Sequence, residues 1–312
     1  MTSAEAAARL KPYITRTPLL PCRGAWLKAE NLQRSGSFKI RGALNRLLQL
    51  TDKTGVVCFS SGNHAQAVAL AGQMLNIPVT VFMPADSMPH KVAATQAYGA
   101  TVIQEGVTPE TRHRLAADYA AEHRYTLVPP FDDPAIMAGQ GTLGLEIAEQ
   151  HPDLQVVASP LGGGGLLSGV ALAIHSVRPG VRIFGVEPAA GNDGQQSFRS
   201  GTRVTIPAPA TIADGARTIS LGELTFAAIR QHVTDIVTVT DDQLLDTLRF
   251  LALEAHIVAE PTGALAVAAW RAGLIPGEAP ALVVSGGNVA PDLLAQVLKG
   301  SGPANSSDSG EL

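Results

Sequence analysis

From about residue 55 the chain alternates two patterns. Runs with almost no polar interruption recur: GVVCFS at 55–60, VTVFMP at 79–84, ATVIQEG at 100–106, YTLVPP at 125–130, LQVVASP at 154–160, RIFGVEP at 182–188, DIVTVT at 235–240 and ALVVSGG at 281–287. Such runs predict strands buried on both faces. Between them, residues 63–75, 89–98, 109–123 and 241–256 are of helical length with apolar positions three and four apart, which predicts helices. Repeated strand-helix units predict an α/β fold with mainly parallel sheets. Functional groups in such sheets stand beyond the carboxyl ends of strands, where loops meet helix N-termini.

Composition narrows the class of protein. The chain has 312 residues, 46% of them hydrophobic, enough for two ordinary cores. The net charge is −4 and the 23 basic residues are scattered, so no nucleic-acid footprint is expected and small-molecule chemistry is favoured. Cys22 and Cys58 are the only cysteines and show no metal-binding spacing, which fits a reducing compartment. The start, MTSAEAAARLKPY, lacks the apolar core of a signal peptide, and no run reaches the ~18 residues of a membrane span. A cytoplasmic protein without a membrane partner is expected. Residues 300–312 are small and polar, and predict a disordered tail.

Four loops and one lysine carry candidate chemistry. In SGSFKIRGA, residues 35–43, small and apolar neighbours would draw Lys39 inward. A buried ammonium with no acid beside it tends to lose its proton and become nucleophilic, as a Schiff-base lysine must. Ser60, Ser61, Gly62, Asn63 and His64 lie between a predicted strand and a predicted helix. One cap residue would satisfy that helix, whereas five small or polar residues suit a carboxylate or phosphate. Gly162, Gly163, Gly164 and Gly165 likewise join a strand to a helix, and consecutive glycines let backbone amides converge on an anion. Neither dinucleotide spacing nor a P-loop lysine is present. Ser285, Gly286, Gly287 and Asn288 end another strand, and Glu187 and Asp193 form an acidic pair that could hold a hard cation.

Together with AGQGT at 138–142, TIADGAR at 211–217 and EPTGA at 260–264, these segments occur in the order found in fold-type II pyridoxal 5′-phosphate enzymes. The chain resembles that group, and within it the serine/threonine dehydratase and serine racemase family, over nearly its whole length. The resemblance implies an open, twisted, tryptophan-synthase-β-like architecture, with a large domain at 1–54 and 133–312 and a smaller mobile domain at 55–132. A homodimer is the family's usual state.

The resemblance also implies roles. Lys39 would be the Schiff-base lysine, Phe38 would pack beside the cofactor ring, Asn63 would bond its 3′-oxygen, Gly162 to Gly165 would hold its phosphate and Ser285 would face its nitrogen. Ser60, Ser61, Gly62 and His64 would take the substrate carboxylate, with Ser61 as the racemases' second acid. Arg112 corresponds to a substrate-side arginine of the racemases, although His113 follows it where a carboxylate is expected. Glu187, the Gly191 carbonyl and Asp193 would bind Mg²⁺ or Ca²⁺. The expected activity is dehydration of L-threonine or L-serine to a 2-oxo acid and ammonia. Alternatives are serine racemisation, 3-hydroxyaspartate dehydration, disfavoured by the lack of an evident second basic group for the β-carboxylate, and β-replacement. A non-catalytic phosphate-ligand binding protein is the alternative of another class.

Overall fold

The buried runs do form strands. The computed structural model describes residues 1–299; the tail at 300–312 lies outside the described residues. Ten strands are present among these: β1 (Leu19–Cys22), β2 (Ala25–Ala29), β3 (Val56–Phe59), β4 (Val79–Phe82), β5 (Thr101–Ile103), β6 (Thr126–Leu127), β7 (Val156–Pro160), β8 (Arg182–Pro188), β9 (Asp235–Val239) and β10 (Ala281–Val284). They build a six-stranded sheet, β1-β2-β10-β7-β8-β9, and a four-stranded sheet, β5-β4-β3-β6. Every residue of β4, β7 and β10 is buried. At the edges, β5 and β9 are only partly covered.

Every strand pair is parallel except the hairpin β1–β2. That hairpin turns through Arg23 at φ 44° and Gly24 at φ 88°, the left-handed pair a two-residue hairpin turn needs. Pro21 is accommodated because β1 is an edge strand.

This order positions the loops. Strands β2, β10 and β7 are adjacent and parallel, so the segments beyond their carboxyl ends leave the sheet side by side. Those segments hold Lys39, Ser285 and the four glycines. The four-stranded sheet brings Ser60 to Asn63 from the end of β3. Its core reaches beyond residues 56–127: Leu10, Ile40, Ala43, Leu44, Leu47 and Ile136 pack with Val56, Cys58, Val68 and Val81. The helix Lys39–Leu47 therefore serves both halves of the molecule. No helix among the described residues is long and apolar enough to cross a membrane.

A buried ionic network anchors that helix. Arg41 is fully buried; its Nε and Nη2 donate to both carboxylate oxygens of Glu30 at 2.8 and 2.7 Å, and Nη1 donates to Glu146 at 2.7 Å and to Thr142 at 3.1 Å. Lys28, also fully buried, donates to Glu146 at 2.5 Å, Gln150 at 2.9 Å and the Thr17 carbonyl at 2.8 Å. Burial alone would raise the Glu30 carboxyl, but Arg41 overrides it and leaves the group below its ordinary value. Burial lowers the Lys28 ammonium, with Glu146 opposing.

Glu146, Thr142 and Gln150 all lie on the helix Pro134–Gln150. It comes close enough for this because Gly139 and Gly144 lack a Cβ: one would stand 2.6 Å from the Arg41 carbonyl and 2.9 Å from that of Val170. Removing one partner of such a network leaves bare charge in the interior. Arg41→Met should cost about 3–5 kcal/mol of unfolding free energy, measured by urea denaturation at neutral pH. A loss below about 1 kcal/mol would contradict the importance given to the network.

Candidate active site

Lys39 opens its helix, and the residues before it are stitched to the loop after β10. Ser37 bridges Gly286, the Phe38 N–H donates to the Ser285 carbonyl at 3.0 Å, and the Gly287 N–H donates to the Gly36 carbonyl at 2.9 Å. Lys39 and Ser285 are thereby neighbours, with Ser285 almost fully buried. The Lys39 Nζ donates to the Pro130 carbonyl at 2.8 Å and lies 5.3 Å from the centre of the Phe38 ring. Burial lowers its pKa from 10.5 to about 8, and the Glu260 carboxylate pulls the other way. The depression expected from apolar neighbours is present, but the expectation that no acid stands near is corrected by Glu260.

The loop from Ser60 leads into the helix Asn63–Leu75, whose N-cap, Gly62, has no side chain to cap it. The free N–H groups of that first turn make it a carboxylate receptor. Ser60 Oγ accepts from the Gly62 N–H at 3.2 Å, and Ser61 stands partly exposed beside it. His64 is buried; one ring nitrogen meets the Val128 carbonyl at 3.0 Å, and burial, then Lys39, hold its pKa down at about 3. It is a neutral wall residue and brings no charge to an anion.

The Asn63 Nδ2 donates to Glu260 Oε1 at 2.5 Å, and its Oδ1 accepts from the Asn288 Nδ2 at 2.8 Å. Arg112 is half-buried at the first turn of the helix Arg112–His123. The ring of its neighbour His113 packs edge-on against Phe59, the residue before Ser60.

The four glycines form a cradle that side chains would fill. Gly164, at φ 96°, caps the helix Gly165–Val177 without a side-chain bond. A Cβ on Gly162 would stand 3.1 Å from the Gly215 carbonyl, one on Gly164 2.7 Å from Thr225, and one on Gly165 2.9 Å from Phe131; one on Gly163 would overlap the Phe131 ring. An uncapped helix start behind a glycine loop fits a phosphate.

The segment 130–132, of which only Pro130 falls within a run read as a strand, does three jobs here. Pro130 holds Lys39, Phe131 backs the glycines, and Asp132 accepts from the N–H groups of Glu223, Leu224 and Thr225 at 3.0–3.2 Å. Lys91 was also missed. It is buried, pairs with Asp214 of the turn lying over Gly162, and its Nζ stands 3.9 Å from where a Cβ of Gly62 would be. Only the fold could bring it there.

Glu187, near the end of β8, and Asp193, after it, are both fully buried, and Gly191 is buried between them in sequence. Glu187 accepts from the N–H groups of Gly194 at 3.0 Å and Gln195 at 2.8 Å, at the start of the helix Asp193–Ser200. Neither oxygen of Asp193 has a partner among the described residues. Burial raises the Asp193 carboxyl from 3.8 to about 7, and burial followed by Asp193 raises Glu187 well above its ordinary value. An unpartnered buried carboxylate beside a second one suits a hard cation.

Known proteins resemble this chain over nearly its whole length. The family model described as Pyridoxal-phosphate dependent enzyme matches residues 10–287. The chain is 48% identical to the L-threo-3-hydroxyaspartate ammonia-lyase of Saccharomyces cerevisiae, over 95% of each chain. It is 46% identical to the serine racemase of Schizosaccharomyces pombe, over 92% of this chain and 93% of that one. Its fold superposes on the maize serine racemase with a TM-score of 0.88 at 34% identity, covering 95% of each chain. A half-buried lysine of lowered pKa, a glycine cradle at a helix start and a buried serine suit the amine-reactive, phosphate-bearing cofactor of that family, and the chain belongs to the pyridoxal-phosphate dependent enzyme family.

Proposed function

We propose that this enzyme removes the β-hydroxyl of a small hydroxy amino acid, L-threonine or L-serine, to release a 2-oxo acid and ammonia. The observation that carries the reading is the Lys39 amine, lowered to about 8, held between the Ser60–His64 loop, the glycine cradle and Ser285. Bound pyridoxal phosphate supplies the electron sink that makes the substrate Cα–H acidic. Gly162 to Gly165 and the first turn of the helix behind them would hold its phosphate, Phe38 would flank its ring, Asn63 would face the ring oxygen and Ser285 the ring nitrogen.

The chain's own work is proton transfer and orientation. The substrate carboxylate sits on the free N–H groups and hydroxyls from Ser60 to Asn63, which aims Cα at the Lys39 Nζ. Lys39 then takes the Cα proton as general base, a role suited to an amine whose pKa is near neutral. Ser285 would offer the ring nitrogen a hydroxyl and no negative charge, which suits early loss of the β-hydroxyl. The segment 55–132 closing on substrate would exclude water during these steps. Ser61, on the same loop, is the candidate proton donor for the opposite face of Cα.

L-threo-3-hydroxyaspartate is a second reading. The relative of that name supports it, as does the Lys91 ammonium beside Gly62, a basic group the sequence did not reveal. A methyl group separates serine from threonine by only ~1–3 kcal/mol in an apolar pocket, so these two should differ less than either differs from a dicarboxylate. Glu187, Asp193 and the Gly191 carbonyl would hold Mg²⁺ or Ca²⁺, which would supply the positive charge that the bare carboxylates lack.

Three measurements test these roles. Lys39→Ala should abolish the visible absorbance of bound cofactor and lower 2-oxo acid release by about 10³-fold or more; turnover near that of the unaltered enzyme would refute the assignment. Ser61→Ala should slow interconversion of L- and D-serine more than it slows 2-oxo acid formation, followed by chiral chromatography; equal losses in both would remove its special role. Millimolar Ca²⁺ or Mg²⁺ should raise the melting temperature of the enzyme and leave that of Asp193→Asn unmoved. A cation-independent melting temperature would dismiss the metal site.

A further inference from the structure

Glu260 is a buried acid at the centre of the site that no step above uses. It is the N-cap residue of the helix Pro261–Arg271, 3% exposed, and its N–H donates to the Gly286 carbonyl at 3.0 Å. Its Oε1 accepts the Asn63 amide at 2.5 Å. Gly286 is what admits it, since any Cβ there would overlap Oε1 and stand 3.1 Å from the carboxyl carbon.

From the other side, Asn288 donates to Asn63 Oδ1 at 2.8 Å and to the Ser35 carbonyl at 2.8 Å. Gly36, at φ 71°, leaves room for the Asn288 side chain. Asn63 is therefore held by its oxygen and by one of its two amide hydrogens. A lone asparagine amide can turn over and exchange donor for acceptor. Here an acceptor lies on the nitrogen side and a donor on the oxygen side, so one sense is selected. The second Nδ2 hydrogen has no acceptor among the described residues.

We propose that Glu260 is a positioning residue that acts through Asn63, using its Oε1 together with Asn288 to present the second Asn63 N–H to the cofactor's ring oxygen. The inference rests on the reading of Asn63 given above. The charges facing Glu260 are consistent with a role as acceptor more than as fixed anion. Burial, then Asp214, raise its carboxyl to about 7, while Lys91, the Asn63 bond and Lys39 oppose them. Whether it carries a proton or not, a carboxyl oxygen remains to accept from Asn63.

The test is a mutant cycle read by cofactor binding. Holoenzymes of the unaltered protein, Asn63→Ala, Glu260→Ala, Glu260→Gln and the double variant Asn63→Ala/Glu260→Ala are dialysed. The pyridoxal phosphate dissociation constant is then taken from the visible absorbance, whose pH midpoint is followed as well. Asn63→Ala and Glu260→Ala should each weaken binding by about 10-fold, the effect of one lost hydrogen bond. The double variant should lose no more than either alone, because both act through one contact. Glu260→Gln, which keeps the acceptor and removes the charge, should stay within about 2-fold of the unaltered affinity.

Losses that multiply to about 100-fold in the double variant, or a Glu260→Gln as weak as Glu260→Ala, would overturn the inference. If Asn63→Ala alone leaves affinity and pH midpoint unchanged, the ring-oxygen reading of Asn63 falls and takes the inference with it. Should Glu260→Ala fail to fold, Asn288→Ala replaces it: binding should weaken in the unaltered background and not in Asn63→Ala, and equal weakening in both overturns the proposal.

Discussion

The structure depends on what Arg41 does with its charge. A guanidinium cannot shed its proton, so in a fully buried position it must be surrounded by acceptors. Glu30 meets it from the turn after β2, and Glu146 with Thr142 from the helix Pro134–Gln150. Arg41 is two residues beyond Lys39 on the same short helix. Satisfying Arg41 therefore also fixes where the Lys39 stem begins. Because Lys28 of β2 joins Glu146 in the same network, the helix is tied to the six-stranded sheet while its apolar face packs under the four-stranded one.

With Lys39 so placed, the parallel order β2-β10-β7 supplies the rest of the site. Three neighbouring strand ends deliver an amine, a hydroxyl and a glycine cradle, and parallel strands deliver them on one side of the sheet. Segment 130–132 then joins the groups to one another: the Pro130 carbonyl restrains the amine, and the Phe131 ring fills the space behind the cradle that glycine leaves open. The glycines and Phe131 are complementary. A larger residue in the cradle and a smaller one at Phe131 would each spoil the same surface.

The strands from β3 to β10 were legible in the sequence because strands set within a covered sheet leave nearly unbroken apolar runs, and each of them falls within one of the runs read. The hairpin β1–β2 was not legible, because Lys28 interrupts its pattern and the acid that neutralises it lies far along the chain at Glu146. The helix Pro134–Gln150 was hidden for a related reason. Gly139, Gly141 and Gly144 are poor helix formers, and the helix persists because their missing side chains allow close packing on Arg41, Gly169 and Val170. In the site, residues that act by their own chemistry, Lys39 and the glycines, could be read locally. Those that act by proximity could not: Glu260, Lys91, Asp214 and Phe131 are ordinary residues until folding brings them to the amine and the loops.

The contacts around this site differ in strength, in the way the proposed closure of 55–132 needs. On the side of the Lys39 helix, the two sheets share an apolar core and the buried Arg41 network, where displacement would strand several charges at once. Across the mouth, the ion pair is Lys91 with Asp214, whose carboxylate side chain is 32% exposed. A pair with one partner in contact with water holds weakly, since water can replace much of what is lost on parting. Yet Lys91 comes from the helix Pro89–Ala97, beside the loop proposed to take the substrate carboxylate, and Asp214 comes from the turn over the glycine cradle. A weak contact here joins the proposed substrate end of the site to the proposed cofactor end. Separating them at this rim would be cheap, whereas separating them at the Arg41 side would not, so the proposed closure would pivot about the helix that carries Lys39.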